Sequence, residues 1–101
     1  MNIYDFTIPK SGEDFTTLFE NKNIKRVRIV SSDSLEDIEY CQEEDEFVIL
    51  LEGRAELELE GKKTTLNRGD TLFIPAKTKH KVLTTQKGTL WIAIHMNLSF
   101  V

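Results

Sequence analysis

Two stretches decide the fold. The first is Tyr40-Cys41-Gln42-Glu43-Glu44-Asp45-Glu46-Phe47-Val48-Ile49-Leu50-Leu51-Glu52-Gly53, and the second is Gly69-Asp70-Thr71-Leu72-Phe73-Ile74-Pro75-Ala76-Lys77-Thr78-Lys79-His80. In the first, residues 40, 42, 46, 48 and 50 have even spacing, so a continuous strand aims all of them at the interior. Phe47, Ile49 and Leu51 have the opposite parity and make an apolar outer face that something must cover. Gly53 and Gly69 each permit a turn that other residues resist. Pro75 at a strand end tolerates its missing backbone donor. Two hairpins then fold back and bring Glu46 and His80 to one barrel mouth.

Outward from these stretches the pattern is β. Val27 and Ile29 share one face of Ile24–Val30, with Arg26 and Arg28 on the other. Residues 54–60 alternate, with Ala55, Leu57 and Leu59 facing one way and Glu56, Glu58 and Glu60 the other, as a half-buried strand requires. Gly61-Lys62 and Asn67-Arg68-Gly69-Asp70 supply turns, and 81–85 and 89–96 form a last hairpin about Gln86-Lys87-Gly88. Residues 11–21 are the exception. Ser11 can cap a helix there, and Phe15, Leu18 and Phe19 fall at helical spacing. The expected architecture is therefore all-β, with an extended segment and short helix over about 1–23 and a barrel over about 24–98, in one domain spanning 1–101.

Composition narrows the function classes. With 101 residues there is no room for a second folded domain. Thirteen basic residues against 17 acidic ones argue against broad nucleic-acid binding, which needs a basic face. A lone cysteine, Cys41, excludes an internal disulfide and any multi-cysteine metal site. No apolar run approaches a membrane span, and no signal peptide opens the chain, so a cytoplasmic protein with neither nucleic-acid nor membrane partners is expected.

The two stretches resemble the motifs of the cupin family. Glu46 and Gly53 match the acidic residue and glycine of H-x-H-x(3)-E-x(6)-G, and Gly69, Pro75 and His80 match G-x(5)-P-x-G-x(2)-H. The resemblance implies a small antiparallel jelly-roll barrel. Tyr40 and Gln42 stand where the family has its two motif 1 metal histidines, and Lys77 stands where motif 2 has glycine. Tyr-x-Gln in place of His-x-His resembles a subgroup of small, functionally uncharacterised single-domain bacterial cupins. Carried over residue by residue, only Glu46 and His80 remain of the family's four ligands. Gln42 adds a neutral amide oxygen, a weaker ligand than imidazole.

The expected pocket is lined by Tyr40, Gln42, Glu46, His80, Trp91 and His95; on the final strand the sequence leaves open whether the Trp91, Ala93 and His95 face or the Ile92 and Ile94 face points inward, and the expectation takes the first. The candidate metal set is Gln42, Glu46 and His80, around a divalent transition metal such as Mn, Fe, Ni or Zn. Glu43, Glu44 and Asp45 read as a solvated loop, and Cys41 as an outward thiol. The expected function is a pocket at the barrel mouth for a small molecule or a residual metal. The alternative is a metal-dependent dioxygenase, isomerase or decarboxylase acting on a small polar metabolite, and a regulatory sensor is a third reading. The apolar outer face predicts a homodimer.

Overall fold

A computed structural model describes residues 1–97, so the expected barrel end at 98 and the domain end at 101 fall outside the described residues. Eight strands follow in order: β1 (Glu13–Glu20), β2 (Ile24–Ser31), β3 (Asp45–Glu52), β4 (Arg54–Leu59), β5 (Lys62–Asn67), β6 (Thr71–Ile74), β7 (His80–Thr85) and β8 (Thr89–Met96). They form a five-stranded sheet, β1-β2-β8-β3-β6, facing a three-stranded sheet, β5-β4-β7. All pairings are antiparallel, and the fold is a jelly roll.

The register sorts every side chain. Val48 pairs with Ala93, which pairs with Val27; Leu50 pairs with Trp91, which pairs with Ile29. These residues face Ala55, Leu57 and Leu66 of the smaller sheet, and that contact is the core. Complete burial of a side chain such as Leu50 or Leu57 contributes about 1.5–3 kcal/mol. On the outer surface Phe73, Phe47, Ile94, Arg26 and Phe19 follow one another across five strands. The N-terminal segment covers part of that surface: Arg28 donates to the Asp5 carbonyl at 3.1 Å and lies over the Phe6 ring at 5.7 Å.

The helix expected over residues 11–21 is not there, and no helix occurs among the described residues. Residues 13–20 instead form β1 and extend the large sheet, so the sheet begins at Glu13 and not near residue 24. A β-bulge accounts for the misleading spacing. Thr17 pairs with Val27, but the next paired residue, Phe19, faces Arg26, so Leu18 is the extra residue. The bulge breaks the period of two and leaves apolar residues at 15, 18 and 19, which imitates a helix face. It also sends Phe15 towards the inner side and Phe19 to the outer one. The hairpin into β2 is held by Asn21, whose Oδ1 accepts from the backbone N–H of Asn23 and Ile24.

Gly53, between β3 and β4, is where the two sheets join at a tight corner. Its φ is +94°, and a Cβ there would stand 2.8 Å from the Thr89 Cα. The obstacle is backbone, so it cannot rotate away. Gly53→Ala is expected to cost roughly 3 kcal/mol from strained φ plus overpacking. Denaturant unfolding checks this, and a loss below 1 kcal/mol would show that the corner relaxes freely.

Candidate functional site

The mouth is built where residue 40 meets the start of β7. Tyr40 N–H donates to the His80 carbonyl at 2.7 Å and His80 N–H donates back at 2.9 Å, a single antiparallel bridge. The two rings stack with centroids 5.8 Å apart. Two residues on, Lys77 N–H donates to the Gln42 carbonyl at 2.6 Å. Lys77 has a φ of +63°, the left-handed region, which explains why glycine suits this motif position. Asp45 completes the clamp, its Oδ1 accepting from Ala76 N–H at 2.7 Å.

Behind this clamp is a cavity of about 70 Å³, and Tyr40, Gln42, Glu46, His80, Trp91 and His95 all line it. Glu13, Phe15, Ile29 and Val82 line it too. Trp91 and His95 reach it from the inward face of β8. Cys41, between two lining residues, is exposed.

Glu46 is central. Its side chain is only 9% exposed, yet its nearest basic partners are His80 Nε2 at 3.9 Å and His95 Nδ1 at 4.0 Å, both beyond hydrogen-bond reach. Burial, with the Glu44 carboxylate adding repulsion, pushes its pKa up to about 7. His80 Nδ1 lies 2.9 Å from the Thr78 carbonyl, which fixes the proton on Nδ1 and turns Nε2 towards Glu46. His95 is held below its ordinary value, first by burial and then by Lys25 and His80, against the opposing pull of Glu44. The Tyr40 phenol is pushed up by burial and by Glu13, Glu36 and Glu46. Two buried atoms, Gln42 Oε1 and His95 Nδ1, have no hydrogen-bond partner.

The residues do not fit a transition-metal cage. Gln42 offers a neutral amide oxygen, and Tyr40 is held away from its phenolate form. Among the described residues no group of three or more His, Cys, Asp or Glu is arranged to hold a metal ion.

Three contributors were not legible in the sequence. Glu13 and Phe15 were hidden by the helical reading of 11–21. Glu44, read as solvated, lies 3.4 Å from His95 Nδ1. No spacing rule flags it, because its role comes from β3–β8 register.

Residues 35–95 match the family model described as Cupin domain. A Ralstonia eutropha protein of known structure, proposed to be a mannose-6-phosphate isomerase, is 32% identical, with 96% of each chain covered and a TM-score of 0.86. A cupin conserved-barrel protein from Salinispora arenicola is 19% identical with a TM-score of 0.75, covering 92% of this chain and 83% of that one, a likeness of fold. An uncharacterised protein of Methanocaldococcus jannaschii is 42% identical over 38 residues, which are 38% of this chain and 30% of that protein's length. No helix among the described residues is long and apolar enough to cross a membrane.

The raised Glu46 pKa makes stability depend on pH. The folded protein holds a proton between about pH 4.5 and 7 that the unfolded chain releases, so stability present below pH 4.5 is lost as pH rises to 7. The loss is on the order of 3 kcal/mol. Glu46→Gln is expected to flatten this slope and to melt higher than wild type at pH 8. A wild type that grows more stable across the window would contradict it.

Proposed function

This chain belongs to the cupin family, and we propose that its barrel mouth is a binding pocket for a small polar molecule that works without a resident metal. One observation carries the reading: Gln42 Oε1 and His95 Nδ1 are buried without a hydrogen bond, the latter with only the Glu44 carboxylate at 3.4 Å, beside a Glu46 carboxylate whose imidazole neighbours stay at 3.9 and 4.0 Å. Each such group costs about 1–3 kcal/mol when left unsatisfied. A ligand with hydrogen-bond donors recovers that cost and fills the cavity between them.

A second reading, proton transfer on the bound molecule, is supported by the Glu46 pKa of about 7 beside two imidazoles. A base poised near neutrality suits an isomerase-type step. The phosphosugar proposed for the Ralstonia relative is a poor match, because no Lys or Arg lines the cavity to hold a phosphate.

Thermal-shift screening of polar metabolites tests the pocket. At tenfold excess over Kd a ligand adds about 1.4 kcal/mol, several degrees of Tm in a domain of about 100 residues. Gln42→Leu is expected to abolish that shift while leaving the unliganded fold at least as stable. Removing divalent metals with a chelator is expected to move Tm by less than 1 °C. A chelator-induced fall in Tm, recovered with Zn or Mn, would replace this reading with a metal site.

The assembly we propose is a homodimer through the outer face of the large sheet. Phe73 is 49% exposed, and Phe47 and Ile94 continue the same apolar row. A second copy presents the matching row. Sedimentation is expected to give twice the 11.7 kDa chain mass, and Phe73→Lys the single-chain mass. A wild-type monomer at micromolar concentration would refute the dimer.

A further inference from the structure

The mouth cavity does not end at Tyr40. A second space of about 290 Å³ opens outside it, and the two share Glu13, Phe15, Tyr40 and Val82 as walls. They adjoin along these four residues as the inner and outer parts of one lined region. Glu46 lies in the inner part, Glu13 at the shared wall and Glu36 in the outer part, and no Lys or Arg lines either. Among the described lining residues the basic groups are the imidazoles of His80 and His95, both at the inner end, with Lys25 beside His95 but outside the lining.

We infer that this cleft recognises an organic cation, an alkyl amine or diamine, with one ammonium beside Glu46 and the chain running past Tyr40 towards Glu13 and Glu36. The inference rests on the mouth being a ligand pocket and names the charge of what enters it.

Four observations support it. Glu46 is nine-tenths buried, and among the described residues no hydrogen-bond donor reaches it. An ammonium brings three donors and the missing charge. Glu13 is held in place: Trp91 Nε1 donates to Ser31 Oγ at 2.9 Å, and Ser31 Oγ in turn donates to Glu13 Oε2. Its other oxygen has no protein donor within reach among the described residues. The fields of all three carboxylates meet at the Tyr40 phenol, where each adds to the effect of burial. The rings of Phe15, Tyr40 and Trp91 line the same space, and aromatic faces attract alkylammonium groups. Above the Glu46 pKa of about 7, an anion in this cleft meets the ionised Glu46 together with Glu13 and Glu36, and no lysine or arginine among the described lining residues offsets them. A neutral polyol satisfies Gln42 Oε1 but leaves the carboxylates unpaired.

A charge series on one four-carbon skeleton tests the inference. The probes are 1,4-diaminobutane, n-butylamine, 1,4-butanediol and succinate, titrated calorimetrically into the full chain. Trp91, the sole tryptophan, provides a fluorescence readout from the cleft wall. The diamine is expected to bind at least tenfold more tightly than the diol, with n-butylamine between them and succinate not binding. Glu46→Gln and Glu36→Gln are each expected to weaken the diamine about fivefold or more. Glu36 is exposed, so its variant keeps the test open if Glu46→Gln folds poorly. Diol or succinate binding as tight as the diamine would overturn the cation while leaving the pocket intact. So would silence from all four probes when the thermal screen has found some other ligand. Silence in both experiments would remove the pocket reading itself, and the cation with it. Diamine binding unchanged in both variants would place the amine elsewhere on the acidic surface and overturn the inference.

Discussion

The backbone exchange between Tyr40 and His80 is the constraint on which the mouth depends. Residue 40 leads into β3 of the large sheet, and His80 begins β7 of the small one. Two hydrogen bonds at 2.7 and 2.9 Å therefore join the sheets at the end where the cavity opens. The Gln42–Lys77 and Asp45–Ala76 contacts extend the same seam. Because the pair fixes the phase of β7, the His80 ring must lie inside, with its Nε2 towards Glu46. The backbone bonds and the stacked Tyr40 and His80 rings hold the two sheets together at this end.

That arrangement preserves an electrostatic cost. Core apolar rows run beneath Glu46, which removes it from water, and the imidazoles able to neutralise it stay at 3.9 and 4.0 Å. Burial alone opposes ionisation, and Glu44 opposes it further. A leucine at position 46 would be better for stability, since an unpaired buried carboxylate does nothing for the apo fold. Its presence accords with the proposed pocket, in which the liganded state is the working one. The same holds for Gln42, whose amide oxygen could be removed at little structural loss. The mouth is thus locally less stable than its own barrel permits, a common property of binding sites.

Much of this was legible in sequence, for a definite reason. The alternation at 46–50 and 55–59 and the spacing from Glu46 to Gly53 and from Gly69 to His80 are local patterns, and local patterns report strand phase directly. The alternation of β8 is equally local, but which of its two faces points inward is not: pairing with β2 and β3 decides for Trp91, Ala93 and His95. The helix read at 11–21 failed where the period of two fails. One bulged residue, Leu18, converts alternation into helical spacing, and the pairing that overrides it lies on β2, outside the window. Glu13 and Phe15 went missing from the site with it. Glu44 was illegible for a different reason: its neighbour His95 is 51 residues away in sequence, and only β3–β8 register brings them together.

The acidic excess of the chain looks uninformative as a total, since Glu56 and Glu58 lie on the outer side of β4 and Glu43 is exposed. What matters is where the cations are not. The arginines at 26 and 28 are committed to the outer surface, over Phe19 and Phe6. Arg68 lies beside Glu52 at 3.3 Å, and Lys81 beside Asp37 at 3.5 Å. Each of these side chains has a local partner, while the carboxylates of the cleft have none with a fixed charge. A net charge of −4 screened by salt has little reach beyond about 10 Å. Inside a half-enclosed cleft the screening is weaker, and Glu13, Glu36 and Glu46 act at short range through a medium of lower dielectric. The distribution of charge, more than its sum, therefore sets the field inside this cleft.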